Sequence, residues 1–210
     1  MTRLSLIACL IAGSLWLAGP AAAEETPTGA ALVAAGAGVS EADAARAEKF
    51  IRTKHNKVRA ALRKPDTPKR AEDLTVLLGE FLDYERLTRL SLDKEWNKRS
   101  PRERQQFVSL LRQLVERQYQ NNMESTLAYK VKWVGTEPIE TGVKVKSSAV
   151  AIDYSMSPAG EEWKVFDIFT DEVSLVKNYK RQFRRVIREE GWDGLIGRME
   201  KKLKAEDELL

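Results

Sequence analysis

The sequence predicts a single α+β domain with an antiparallel meander of three or four strands and about six helices. Three observations carry this expectation. From Ser40 to about Tyr119 the apolar residues recur at helical spacing. From Tyr129 to Phe169 the period drops to two, with glycines and prolines between the runs. From Leu175 onward the helical period returns. Helices first, sheet next and helices last describe one α+β domain, and there are no internal repeats.

Taken in order, residues 1–23 read as a secretory signal. Arg3 is a short basic start, Leu4 to Ala18 is apolar, and Pro20-Ala21-Ala22-Ala23 ends in the small-residue pattern of a cleavage site. Residues 24–39, rich in Ala, Gly, Thr and Pro without periodicity, read as a disordered tail. The folded domain is expected over residues 40–205.

Ser40 is placed to cap a helix that runs to about Lys64, with Ala47, Phe50, Ile51, Val58, Ala61 and Leu62 along one side and Pro65 as its stop. Thr67-Pro68 repeats the start signal, and Leu74, Leu77, Leu78 and Phe81 give the second helix its apolar face. Asp83 caps a third, in which Leu87, Leu90 and Leu92 lead to Trp96. Ser100-Pro101-Arg102-Glu103 combines an N-cap serine, a proline at the first helical position and a capping-box glutamate. The helix it opens carries Phe107, Leu110, Leu111, Leu114, Val115 and Tyr119.

The strand runs follow. Tyr129, Val131 and Trp133 alternate with lysines, as do Val143 and Val145. Val150, Ile152, Tyr154 and Met156 alternate with Ala151, Asp153 and Ser155. No turn residue separates Lys146 from Ala149, so Ser147-Ser148 can be a bulge within one long strand, which leaves the count at three or four. Trp163 to Phe169 is the last strand. A link, Thr170 to Ser174, leads directly into a helix with Leu175, Val176, Tyr179, Phe183, Val186 and Ile187 on one face. Gly191 suits a helix end, and Asp193 caps a last helix with Leu195, Ile196, Met199 and Leu203.

Composition narrows the chemistry. The formal charge is +4 with basic and acidic residues interleaved, and removal of Arg3 with the signal lowers it to +3. No basic stripe alternates with stacking aromatics, so nucleic acid is not an expected partner. Cys9, the sole cysteine, lies within the signal. The exported chain therefore has no thiol for a disulfide, a metal or a nucleophile. There is no phosphate-binding glycine loop, no nucleophile elbow and no metal-spaced cluster of His, Cys and carboxylates. His55, the sole histidine, is flanked by Lys54 and Lys57 and reads as a solvated helix residue rather than a general base. Asp153 and Asp167 stand within apolar strands and read as outward-pointing groups or acceptors of backbone hydrogen bonds. No enzyme, cofactor or metal is expected. What remains is binding, and periodicity alone reads the apolar stripes as an ordinary closed core.

The run WKVFDIFTDEVSLVKNYKRQF followed by GWDGLIGRM resembles the C-terminal signature of the MlaC family, also called the toluene-tolerance or ABC-transporter auxiliary family. FLDYERLTRLSLDKEW and SPRERQQFVSLLRQLVERQY resemble the same family, so the likeness spans about Glu48 to Leu203. Glu172 stands where the family pattern has glycine. The resemblance implies a twisted antiparallel sheet covered by helices, with an apolar lipid cavity between them, which reverses the closed-core reading. It implies a periplasmic phospholipid shuttle that maintains outer-membrane lipid asymmetry. Its partners would be an inner-membrane ABC transporter complex, through a membrane-anchored substrate-binding subunit, and an outer-membrane lipoprotein-porin complex. The alternative is a periplasmic adaptor with a filled core that docks to a membrane complex. For the carrier, the expected lipid-binding walls are Trp133, Val150, Ile152, Tyr154, Phe166 and Ile168 from the sheet. Leu78, Phe81, Leu110, Leu114, Val176 and Tyr179 are expected from the helices. Lys130, Lys132, Lys177 and Arg181 are candidates for the polar mouth, and the Thr170–Ser174 link is the expected hinge.

Overall fold

A computed structural model describes residues 39–65, 67–121, 127, 131–148 and 152–207. The expected signal and nearly all of the tail lie outside these residues, as do Val150, Tyr129 and Lys130. The helices described are α1 (Glu41–Leu62), α2 (Pro68–Phe81), α3 (Tyr84–Leu92), α4 (Lys94–Asn97), α5 (Pro101–Asn121) and α6 (Leu175–Asp207). The strands are β1 (Lys132–Ile139), β2 (Gly142–Ser148), β3 (Ile152–Ala159), β4 (Glu162–Thr170) and β5 (Val173–Ser174). They form one antiparallel sheet in the order β1-β2-β3-β4-β5.

The start signals act as the sequence predicts. Ser40, Thr67 and Asp83 each accept a hydrogen bond from the backbone N–H three residues on. At α5 the capping box closes in both directions: Glu103 N–H donates to Ser100 Oγ and Ser100 N–H donates to Glu103 Oε2. Gly191, at φ 74°, breaks α6 into two helical segments, in a left-handed conformation that costs glycine little.

Five strands replace the expected three or four. Val143–Val145 and Ile152–Met156 belong to two antiparallel neighbours, so Ser147-Ser148 is not a bulge in one strand. The bulges fall instead between Trp133 and Gly135 on β1 and opposite Ser155/Met156 on β4. The fifth strand comes from the expected hinge. Asp171 and Glu172 take φ 48° and 66° and turn the chain so that Val173-Ser174 pairs with Thr170 and Phe169.

That corner is locked rather than loose. The buried Asp167 carboxylate accepts from Ser174 Oγ at 2.6 Å, from Val176 N–H at 3.0 Å and from Ile168 N–H at 2.9 Å. Ser174 Oγ in turn accepts from Lys177 N–H at 3.0 Å. Burial pushes the Asp167 carboxyl above its ordinary pKa, and the hydrogen bonds from Ser174, Val176 and Ile168 act against that push. Asp167 thus serves as a second cap for α6. Asp153 has a comparable structural task, accepting Ser147 N–H at 3.1 Å and pairing with Lys144 at 3.4 Å.

The elements bury two apolar clusters. α1 and α2 pack together and lie across one face of the sheet. Between them and the strands sit Ile51, Val58, Leu74, Leu78, Phe81, Val143, Val145, Tyr154, Met156, Trp163 and Val165, the sheet-side cluster. α3, α5 and α6 pack on one another, with α3 and α6 reaching β4. Their contact buries Leu87, Phe107, Leu111, Leu114, Tyr179, Phe183, Val186, Leu195 and Met199, the helix-side cluster.

Candidate functional site

The two clusters differ in how they are finished. The helix-side cluster is tied together by aromatic packing, with Ile187, Trp192 and Ile196 partly buried at its edge. Tyr179 and Phe183 stack with centroids 5.3 Å apart, Phe107 meets Phe183 edge-on at 5.3 Å, and Trp192 lies 5.2 Å from Phe107. Its outer rings are roofed by cations: Arg99 lies over Trp192 at 4.7 Å and Arg104 over Trp96 at 5.1 Å.

The sheet-side cluster ends in a half-buried apolar rim. Trp133, Ile152 and Ile168 from the sheet and Phe50 and Leu77 from the helices pack against its buried floor while keeping part of their surface open. Trp133 and Tyr154 lean together at 6.1 Å. Tyr154 and Ile168 are direct partners across β3 and β4, and Ile152 pairs with Thr170 two positions further along. These residues share one sheet face because β-strand side chains alternate.

The sequence-predicted wall residues therefore fall into separate groups. Trp133, Ile152, Tyr154, Ile168, Leu78 and Phe81 come together in the sheet-side cluster. Leu110, Leu114, Val176 and Tyr179 do not join them; they lie in the helix-side cluster. Val150 lies outside the described residues. Phe166 belongs to neither cluster. Its ring lies under the Arg86 guanidinium at 3.7 Å, and Arg86 also donates to Ser157 Oγ at 2.7 Å and Thr141 Oγ1 at 2.5 Å. The cause is the β4 bulge. Met156 faces Val165 but Ser155 faces Asp167, so Phe166 is the extra residue and the alternation changes phase there. Trp163 and Val165 before the bulge share a face with Ile168 after it, whereas strict alternation would have paired Ile168 with Phe166.

Polar groups at this site also depart from expectation. His55 is not a solvated residue. Its ring meets Trp133 edge-on at 5.8 Å, and its buried Nε2 has no hydrogen-bond partner among the described residues. Burial, helped by the nearby Arg59 charge, lowers the imidazole pKa to about 4, so it is neutral at pH 7. The charges on the same helix are turned to partners. Lys54 pairs with Glu80 at 2.6 Å, and Arg59 donates to the Leu127 carbonyl at 3.1 Å. Of the residues considered for a mouth, Lys132 is exposed on β1, while Lys177 and Arg181 are exposed on α6 in the helix-side layer. The sequence offered one missed signal, that His55 follows Ile51 by four residues and precedes Val58 by three, at the edge of the α1 apolar stripe.

Among the described residues, no three or more His, Cys, Asp or Glu side chains gather as a metal site would require, and no helix is long and apolar enough to cross a membrane. The arrangement offers apolar contact beside the neutral His55 ring. Comparison with known proteins adds two findings. The family model described as MlaC protein matches residues 52–201. A phospholipid-binding protein from Ralstonia solanacearum, solved in complex with a phospholipid, shares the fold with a TM-score of 0.65 at 21% identity, over 77% of this chain and 98% of that one. Among curated proteins nothing matches.

Proposed function

Because this chain belongs to the MlaC family, we propose that it is a non-enzymatic phospholipid carrier whose acyl-chain site is the sheet-side wall. The observation that carries this reading is the half-buried rim of Trp133, Ile152, Ile168, Phe50 and Leu77 above a buried, largely apolar floor. A rim of that kind leaves apolar surface available to a ligand; the helix-side cluster also has partly buried residues, Ile187, Trp192 and Ile196 among them, but its rings stack on one another and Trp192 lies under Arg99. The solved Ralstonia protein, which holds a phospholipid on the same fold, supports it.

The physical demand is large. Two acyl tails carry roughly 30 methylenes, and at about 0.8 kcal/mol each their exposure to water costs on the order of 20 kcal/mol. A carrier between two membranes must offset nearly all of this with apolar walls. In this reading residues 1–23 direct export to the periplasm. The carrier moves lipid between an inner-membrane ABC transporter complex and an outer-membrane lipoprotein-porin complex. Binding itself is reversible, so net direction comes from those partners.

Solvent extraction of the purified protein followed by mass spectrometry tests the proposal. Stoichiometric phospholipid is the expected result. Protein that is free of lipid and also takes none from phospholipid vesicles overturns it and favours an adaptor with a filled core.

A further inference from the structure

We infer that His55 is a polar anchor for the lipid: its Nε2–H donates a hydrogen bond to an ester carbonyl of a diacyl phospholipid whose tails lie on the Trp133–Ile152–Ile168 wall. The inference rests on the carrier reading and deepens it by naming the chemical layer of the ligand that the protein recognises.

Three observations support it. His55 Nε2 is buried without a partner among the described residues, and a buried polar atom in a native fold normally has one. Its ring stands edge-on to Trp133 at 5.8 Å, and Trp133 is 6.1 Å from Tyr154, so the imidazole borders the same apolar wall as the tails. The neighbouring cations are engaged elsewhere, Lys54 with Glu80 and Arg59 with the Leu127 carbonyl, while the ring that meets Trp133 is neutral.

The chemistry of the match follows from where each group sits in a lipid. Phosphate is anionic, stays in water, and calls for a cation. The tails call for no polar atom at all. Between them lie the ester carbonyls, neutral acceptors at the boundary of the apolar region. A neutral N–H donor on the rim of an apolar wall suits that layer and introduces no charge into it.

The test compares uptake from vesicles of diacyl phosphatidylglycerol and of its chain-matched diether analogue, which lacks only the carbonyl oxygens. Protein-bound lipid is counted by mass spectrometry after removing the vesicles. The wild-type chain is expected to take the diacyl lipid about five-fold better, the effect of one hydrogen bond. His55→Phe is expected to take both lipids equally, at the wild-type diether level, and His55→Gln to recover part of the preference. Equal uptake of both lipids by the wild-type chain overturns the anchor while leaving the carrier intact, as does a diacyl preference that survives in His55→Phe. Uptake of neither lipid by the wild-type chain overturns the carrier reading and the anchor with it.

Discussion

The helix-side and sheet-side clusters draw on the same aliphatic and aromatic residues, yet they end differently at the surface. On the helix side, long apolar faces of α3, α5 and α6 meet one another, and the last rings are stacked and roofed by Arg99 and Arg104. On the sheet side, two helices cross the sheet, and the rim keeps Trp133, Ile152 and Ile168 partly open beside a histidine nitrogen without a partner among the described residues. Both clusters leave some apolar residues partly buried at their edges, but only on the sheet side do they lie beside a buried polar atom rather than under arginines. In the carrier reading the helix-side cluster acts as the anchor of the fold, and the sheet-side cluster is the proposed place where a ligand completes the packing.

The largest effect should come from damaging the anchor. Phe183 is 1% exposed and touches both Phe107 and Tyr179. Phe183→Ala should lower the unfolding free energy by about 3–5 kcal/mol, measured by urea denaturation. Lipid bound per folded molecule should be unchanged. A fall in lipid binding at constant folded fraction would extend the site to the helix side and restore Val176 and Tyr179 as wall residues.

The reverse pattern is expected at the rim. Ile152→Asp puts a charge against the tails, and lipid uptake from vesicles should drop more than ten-fold. Because Ile152 is half-buried at the start of β3, the stability loss should stay near 1 kcal/mol. Normal uptake by a folded Ile152→Asp would remove this face from the site.

A third effect, about 1 kcal/mol, separates the regions by pH. The folded pKa of His55, about 4, lies below its ordinary 6.5, so the unfolded chain binds the proton first as pH falls. The stability associated with the neutral ring is complete above pH 6.5 and is lost progressively toward pH 4. Between pH 7.5 and 5.5, where most carboxylates remain ionised, unfolding free energy should fall by about 1 kcal/mol, allowing for the partial exposure of the ring. His55→Phe should remove that slope while leaving the loss at lower pH, which urea titrations at fixed pH steps would show.

Much of the architecture was legible because it rests on local rules. The caps at Ser40, Thr67, Asp83 and Ser100 and the break at Gly191 follow from which side chains can satisfy a helix end. The division of the apolar residues between two clusters was not legible, since Leu78 and Leu110 occupy equivalent stripes and only the tertiary fold separates them. Phe166 shows a different limit. A bulge inserts one residue without a composition signal, and every inward-outward assignment beyond it changes parity. His55 escapes the pattern for a third reason: its neighbour Lys54 is itself buried, against Glu80 and the Phe50 ring, and the imidazole turns to Trp133.

The smallest effect lies at the corner between the two regions. Asp171 and Glu172 both have positive φ, and Glu172, at 66°, occupies the left-handed region without the freedom of glycine. The Asp167–Ser174–Val176 hydrogen bonds that follow hold this turn in place, so the strain does not open it. Glu172→Gly should therefore relieve the strain and raise the unfolding free energy by about 0.5–1 kcal/mol, the remainder being offset by the greater freedom of glycine in the unfolded chain. Lipid uptake should not change, because the lock that joins sheet to helix is intact in the variant. Faster lipid exchange from vesicles would instead make this corner a hinge between the regions, and the glutamate a brake on it. A loss of stability would mean that the freedom glycine gains in the unfolded chain outweighs the strain relieved at the turn.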